Sequence, residues 1–323
     1  MSISSPTVTP IGVDIAKAKF DAAAWIDGKY KTKVFPNTPA GFEAFLLWLR
    51  PFASVQVCLE ATGRYGEALA TFLVEPRVTV SVVNPAQIHA FGKAELSRTK
   101  TDKSDAKLIA RFCHRQPPPA WQPLPPAVRQ LQALVRRLDD LRARRQMEHN
   151  RQEGADTTVQ ASLTRVLALL DAEIEQTRAA IHDHLDQNLQ LKKQRDLLDT
   201  IPGLGETTIA VLLACLGDIH RFDNAKQVAA FAGLSPAERQ SGKYRGQTRL
   251  SKTGDALLRK ALYFPAVVAG QYNPSVHAFC ERLKAKGKAG KVIVCAAMRK
   301  LLTLAYGVLK SGCPFDPNSD SAR

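Results

Sequence analysis

The chain has 323 residues, enough for two or three domains, and its 45% apolar composition is that of a folded protein rather than a disordered one. Its net charge of +15 points to a polyanionic partner. Six cysteines without a CxxC pair or a zinc-finger histidine spacing exclude a disulfide scaffold and a zinc finger, and no run of about 18 uncharged apolar residues or leader pattern marks a membrane protein or an exported one. The expectation is a soluble cytoplasmic protein, nucleoid-associated, with free thiols and no membrane partner.

The charge is uneven. Residues 1–115 hold 15 basic and 10 acidic side chains, 116–195 hold 12 and 10, and 196–323 hold 18 and 10. Nucleic-acid contact is therefore expected chiefly in the last third and secondarily in the first.

Three short strands are predicted at 9–16, 19–26 and 30–36, with Asp27-Gly28 as the hairpin turn between the last two. A helix follows at 38–50, with Phe42, Phe45, Leu46 and Leu49 on one face. A strand at 54–60, a helix opened near Gly63, a strand at 77–83 and helices from about 85 and 102 complete the segment. A three-strand meander followed by alternating helix and strand predicts an α/β domain with a mixed sheet in the RNase H-like order.

Four carboxylates fall at telling places in that order. Asp14 interrupts the apolar run Ile11-Gly12-Val13-Asp14-Ile15, and Glu60 ends Val55–Leu59 before a strand-to-helix turn. A charge at the end of an apolar strand needs something to neutralise it. Asp102 and Asp105 share one face at the start of a helix, where they read equally as cap and dipole partners or as ligands. Together the four suit a hard divalent cation, Mg²⁺ with Mn²⁺ as a substitute, and two-metal phosphodiester chemistry. An exonuclease of the DEDD type carries a second acid two residues after the first; Ala16 stands there, which favours a resolvase-like arrangement.

PPPAWQPLPP (117–126) holds six prolines and is predicted to be a stiff linker over 116–126 between domains. Beyond it, Leu131, Leu134, Leu138 and Leu141, then Leu163, Leu167, Leu170, Ile174, Ile181 and Leu185 after a break near Gly154, predict two long helices over 127–195. Two readings stay open there: a hairpin that packs on itself, or an intermolecular coiled coil. Residues 196–315 read as mainly helical and 316–323 as a disordered tail.

Within that last part, 239–260 holds seven basic residues and one acid, broken by glycines at 242, 246 and 254. Arg239, Lys243, Arg245, Arg249 and Lys252 are candidate nucleic-acid contacts. The segment also carries Ser241 and Ser251, so it reads either as a flexible loop gripping phosphate backbone or as a site with Ser241 as nucleophile. Ile201-Pro202-Gly203-Leu204-Gly205 resembles a helix-hairpin-helix turn, with Gly203 and Gly205 as candidate phosphate contacts. Lys284, Lys286 and Lys288 form a further basic stretch, a phosphate-contacting or merely solvated face.

Taken in order, GVDIAKAKFD, CLEATGRYGE, VVNPAQIHAFGKA, KTDKSDAKLIARF, IPGLGETTIAVLLACLGD, FAGLSPAERQSG, LRKALYFPAVVA and GKVIVCAAMRKLLTLAYGVLKSGCPFD resemble segments of the IS one-ten family of insertion-sequence transposases, the DEDD or bridge-RNA-guided recombinases. The resemblance implies a RuvC-like domain at 1–115 with Asp14, Glu60, Asp102 and Asp105 as its Mg²⁺ tetrad, a coiled-coil linker used in oligomerisation, and a helical transposase domain at 196–315 whose catalytic serine is Ser241. It implies strand exchange through a phosphoserine link, a dimer that pairs into a dimer of dimers, and a composite centre in which the acids of one protomer meet the serine of another. It also implies a structured guide RNA that pairs with donor and target DNA. The alternatives carried beside it are a RuvC-like nuclease in which activated water cuts, and a nucleic-acid-binding protein without catalysis.

Overall fold

The computed structural model describes residues 8–61, 64–96, 101–237, 240–241, 244–245 and 249–318. The chain forms two compact units, residues 1–123 and 124–323.

The first unit is built on β1 (Thr9–Ile15), β2 (Lys19–Ile26), β3 (Lys29–Pro36), β4 (Val55–Glu60) and β5 (Thr79–Val83), in the order β3-β2-β1-β4-β5. β2 runs antiparallel to β1 and β3, whereas β4 is parallel to β1 and to β5. The meander strands join by tight turns, with Asp27 and Gly28 both at positive φ (46° and 79°) as a type I′ turn requires. The parallel strands need helical crossovers, supplied by α1 (Pro39–Leu49) and α2 (Arg64–Val74). This is an RNase H-like sheet, with α3 (Pro85–Ala94) and α4 (Asp102–Arg115) after it.

The two faces of the sheet differ in side-chain size. One presents Ile11, Val13, Phe20, Val57 and Leu59, which pack with Phe35, Phe42 and Phe45 from β3 and α1. Phe20 stacks on Phe35 with centroids 5.3 Å apart and meets Phe45 edge-on at 5.3 Å. The residues between these in sequence, Gly12, Ala23 and Cys58, turn to the opposite face by the period of two, and this face takes α4: Ala23 clusters with Ala106 and Ala110, and Cys58 with Ile109, Phe112 and Cys113.

Small residues let the helix backbone come close. A Cβ at Gly12 would lie 2.1 Å from the Ala106 carbonyl oxygen and 2.2 Å from the Ala110 nitrogen. Gly12→Ala is thus expected to lift α4 off the sheet and destabilise the unit by about 3 kcal/mol or more, read as a lowered urea midpoint.

Part of the proline-rich segment lies on the sheet. The Trp121 N–H donates to the Val80 oxygen at 2.7 Å, and Gln56 Nε2 and Ser81 Oγ donate to the Pro118 oxygen at 2.7 and 3.2 Å. β5 is an edge strand, and the extended strap satisfies its Val80 carbonyl.

In the second unit α5 (Pro126–Glu153) and α6 (Thr157–Gln187) form a hairpin that packs on itself. Gly154 ends α5, and Asp156 caps α6 by accepting from the Thr158 N–H at 2.8 Å. Leu131, Val135, Leu138 and Leu141 meet Ile174, Ile181 and Leu185 in a core continuous with the helices that follow. Toward the bend the contact between the helices turns polar, with Gln152 Nε2 donating to Thr164 Oγ1 at 3.2 Å and Gln160 Nε2 to the Gln152 oxygen at 3.1 Å, while Met147, Val159 and Leu169 are exposed.

The remaining helices are α7 (Leu189–Asp199), α8 (Glu206–Leu216), α9 (Ala225–Phe231), α10 (Ala256–Ala261), α11 (Tyr263–Tyr272), α12 (Pro274–Ala285) and α13 (Gly290–Ser311). α13 is long and apolar enough to cross a membrane by length and composition. More than half of its apolar window is buried, however, and Leu301, Leu302 and Ala305 sit at the centre of the core. All six cysteines are free. Of the predicted tail, 319–323 lies outside the described residues.

Candidate functional site

Asp14 follows Gly12 by two residues, so its side chain leaves β1 on the face that carries α4. Strand pairing sets Asp21 of β2 directly opposite it. Val13 pairs with Leu59 on the other side, which brings Glu60, the last residue of β4, level with Asp14. α4 supplies the rest. Thr101 caps it in a reciprocal box, its Oγ1 accepting from the Ser104 N–H at 3.2 Å while Ser104 Oγ accepts from the Thr101 N–H at 2.8 Å. Asp102 is therefore relieved of the capping duty that its position also suggested. Because Gly12 seats Ala106 on the sheet, the N-terminal end of α4 comes to the end of β1 and the start of β2, where Asp102 meets Lys19 and both Asp102 and Asp105 act on Asp14.

The electrostatics record this convergence. Burial, then the negative charges of Asp105, Asp102, Glu60 and Asp21, push the Asp14 carboxyl up to about 6. Lys19 answers part of the excess. Its Nζ lies 3.2 Å from Asp21 Oδ2 and 3.0 Å from Asp102 Oδ2, and the hydrogen bond from Lys19 holds Asp102 below the usual carboxylate range. Asp21 and Lys19 were absent from the expected set. The signal for Asp21 was present: a tight β1–β2 turn that pairs Ile15 with Phe20 must also pair Asp14 with Asp21.

Four hard oxygen donors that repel one another and already attract an ammonium group suit a divalent cation. Among the described residues, no three His, Cys, Asp or Glu are drawn together tightly enough to enclose one as they stand. A bound ion would have to pull the carboxylates inward against their repulsion.

The basic segment of the second unit, read either as a loop gripping phosphate backbone or as a nucleophile site, carries short ladders among its described residues. β6 (Pro236–Ala237) pairs with β9 (Arg249–Leu250), and β7 (Gln240–Ser241) with β8 (Tyr244–Arg245), so nested ladders carry Ser241 opposite Tyr244. Ser241 and Arg245 are placed by their backbone, while Arg239 and Lys243 lie outside the described residues. Arg249 is exposed on β9, and Lys252, also exposed, takes a left-handed conformation (φ 54°).

The two glycines of the 201–205 turn do different things. Gly203 has φ 101°, and a Cβ there would lie 2.7–2.9 Å from Ala269, so it serves the close approach of α11. Gly205 stands open at the N-terminus of α8, followed by Glu206. Lys284 is paired with Glu281 at 2.6 Å, and Lys286 and Lys288 are exposed after α12.

A five-stranded RNase H-like sheet with acids at the ends of its central strands is the frame of a metal-dependent phosphodiester-processing enzyme. Comparison with known proteins makes this specific. Residues 195–281 match the family described as "Transposase IS116/IS110/IS902 family", and residues 11–155 match the DEDD transposase family. The chain is 36% identical over 315 residues to the "Pilin gene-inverting protein" of Moraxella bovis, covering 95% of this chain and 98% of that one. It is also similar to the insertion element IS900 uncharacterized 42 kDa protein of Mycobacterium paratuberculosis (29% over 166 residues, 51% and 41% of the two chains). A transposase for insertion sequence element IS1111A of Coxiella burnetii shares 33% over 103 residues (31% and 28%). The chain belongs to the IS116/IS110/IS902 family, the IS one-ten family of the sequence resemblance. It is an insertion-sequence DNA transposase.

Proposed function

We propose that this transposase exchanges DNA strands through a covalent phosphoserine link formed by Ser241, with Asp14, Glu60, Asp102 and Asp105 acting at the same phosphate. The observation that carries the acidic half is geometric convergence at one end of the sheet, where Glu60 stands level with Asp14 and α4 brings Asp102 to the same edge; burial and then the charges of Asp105, Asp102 and Glu60 raise the Asp14 carboxyl. A binding protein gains nothing from acids turned toward phosphate. The serine half rests on the family resemblance and on the position of Ser241 in a basic hairpin.

The Ser241 Oγ attacks phosphorus, an Oγ–P bond forms, and the P–O bond to the leaving deoxyribose oxygen breaks. The serine proton passes to a carboxylate of the acidic set, and the leaving oxygen takes up a proton. One phosphodiester replaces another, so the link can be reversed onto a new strand without an external energy source. Mg²⁺, or Mn²⁺ in its place, held by the four acids would offset the charge that develops on the phosphate oxygens. Arg239, Lys243, Arg245, Arg249, Lys252, Lys284, Lys286 and Lys288 hold nucleic-acid backbone, and Gly205 leaves the α8 N-terminus open to a phosphate.

The acids lie in the first unit and Ser241 in the second, which accommodates a centre shared between protomers. Copies pair into a dimer and a dimer of dimers through the long helices, on which Met147, Val159 and Leu169 are exposed. A structured guide RNA supplies sequence choice by base pairing with donor and target DNA, and the protein reads backbone and shape. The relative named for inverting a pilin gene points to inversion as a second outcome of the same exchange, set by how two sites are oriented.

The test is denaturing electrophoresis of reactions containing labelled DNA, guide RNA and Mg²⁺. Protein-linked DNA is expected. Free 5′-phosphate ends without linked protein would establish the resolvase-like alternative instead.

A further inference from the structure

Lys19 is positioned unlike an ordinary surface lysine. It begins β2, two residues before Asp21, so both side chains leave the strand on the face that carries α4. Its ammonium spans from Asp21 Oδ2 (3.2 Å) to Asp102 Oδ2 (3.0 Å), joining the sheet to the first turn of the helix. The two anchors are unequal: the Asp21 side chain is 11% exposed and the Asp102 side chain 58%. Asp21 is also the cross-strand partner of Asp14. A positive charge thus stands at the edge of a group of carboxylates gathered from three strands and a helix.

We propose that Lys19 is the resident counter-ion of the acidic cluster, held by the buried Asp21, and that it gives up Asp102 when a divalent cation binds. The inference rests on the reading that Asp14, Glu60, Asp102 and Asp105 hold such a cation. Its physical basis is charge balance. Without an ion, the clustered carboxylates destabilise the end of the sheet, and an ammonium group between two of them offsets part of that repulsion. With an ion, the same ammonium competes for Asp102 and repels the incoming charge. Lys19 therefore steadies the metal-free site and weakens its cation affinity, which makes it a positioning residue.

The test uses the full-length chain and Mn²⁺ alone, followed by isothermal titration calorimetry and by thermal melts in EDTA. Lys19→Met is expected to melt lower than wild type in EDTA and to bind Mn²⁺ about five- to tenfold tighter. Lys19→Arg keeps the charge and is expected to stay within about twofold of wild type. Lys19 is about half exposed, so neither change threatens folding.

Asp14→Asn serves as the control that locates the ion. If wild-type binding depends on Asp14 but Lys19→Met leaves it unchanged or weaker, the counter-ion role is wrong and the metal reading stands. The counter-ion role is equally wrong if Lys19→Arg behaves like Lys19→Met. If the wild-type chain binds no Mn²⁺, or binds it regardless of Asp14, the metal reading fails and the inference falls with it.

Discussion

Ser241→Ala is expected to abolish the covalent protein–DNA adduct while leaving DNA and RNA binding within about twofold of wild type. The hydroxyl is the proposed nucleophile, and removing a nucleophile costs about a thousandfold or more in rate when nothing else on the chain can form the bond. Its removal does not disturb the hairpin, because the pairing of Ser241 with Tyr244 runs through the backbone. Ser251 is the internal comparison. It lies in the same basic segment, just past β9, with its N–H donating to the Ser235 oxygen at 2.9 Å, and Ser251→Ala is expected to keep the adduct. The readout is labelled DNA that migrates with protein after denaturation. An adduct that persists in Ser241→Ala removes the serine assignment, and one lost in Ser251→Ala alone moves it.

Asp14→Asn is expected to lower strand cleavage by at least about a hundredfold and to raise the stability of the metal-free protein. The second effect follows from the sign of the shift. The folded Asp14 carboxyl is raised from 3.8 to about 6, so between those values the native state binds more protons than the unfolded chain. Stability therefore falls as pH rises through that window, and the full penalty is present above it. Asn carries no charge to penalise. With Asp14 only partly buried, the gain is about 1 kcal/mol near pH 7.5 after allowing for solvent screening. It should vanish near pH 4 and be read in EDTA as a higher melting temperature. Asp102→Asn is expected to lose cleavage too, but without that gain, because Asp102 is exposed and stabilised by Lys19. Unchanged cleavage in both variants, with DNA binding intact, would mean that the acids do not take part in the chemistry.

Much of this site is legible in the one-dimensional pattern. The alternation in Ile11-Gly12-Val13-Asp14-Ile15 places apolar residues on one face of β1 and marks Asp14 as an exception at its end. The Asp27-Gly28 turn and the strand–helix alternation after it lead to the observed order β3-β2-β1-β4-β5. Glu60, Asp102 and Asp105 stand out for similar local reasons, at a strand end and a helix start.

Asp21 and Lys19 did not stand out. In KFDAAAWI an acid near the start of a strand looks like an exposed edge residue, and a lysine beside it like a solvated partner. Their meaning comes from the register, which sets Asp21 against Asp14, and from α4, which brings Asp102 within 3.0 Å of Lys19. The same holds for the proline-rich segment, whose composition speaks for stiffness but not for the edge strand it covers, and for Gly203, whose freedom is spent on contact with Ala269.

The chain pattern by itself determined the strand and helix succession, the family resemblance and the four acids, because each is written in local periodicity or in contiguous motifs. Only the tertiary structure decided that a fifth acid and a lysine join the four, that the long helices fold back on each other, and that Ser241 pairs with Tyr244 in a short ladder. The physical reason is that charge–charge interaction depends on distance in space. Residues 14, 21 and 60 become neighbours through strand register, and 102 and 105 join them because Gly12 and Ala23 let a helix backbone settle onto the sheet.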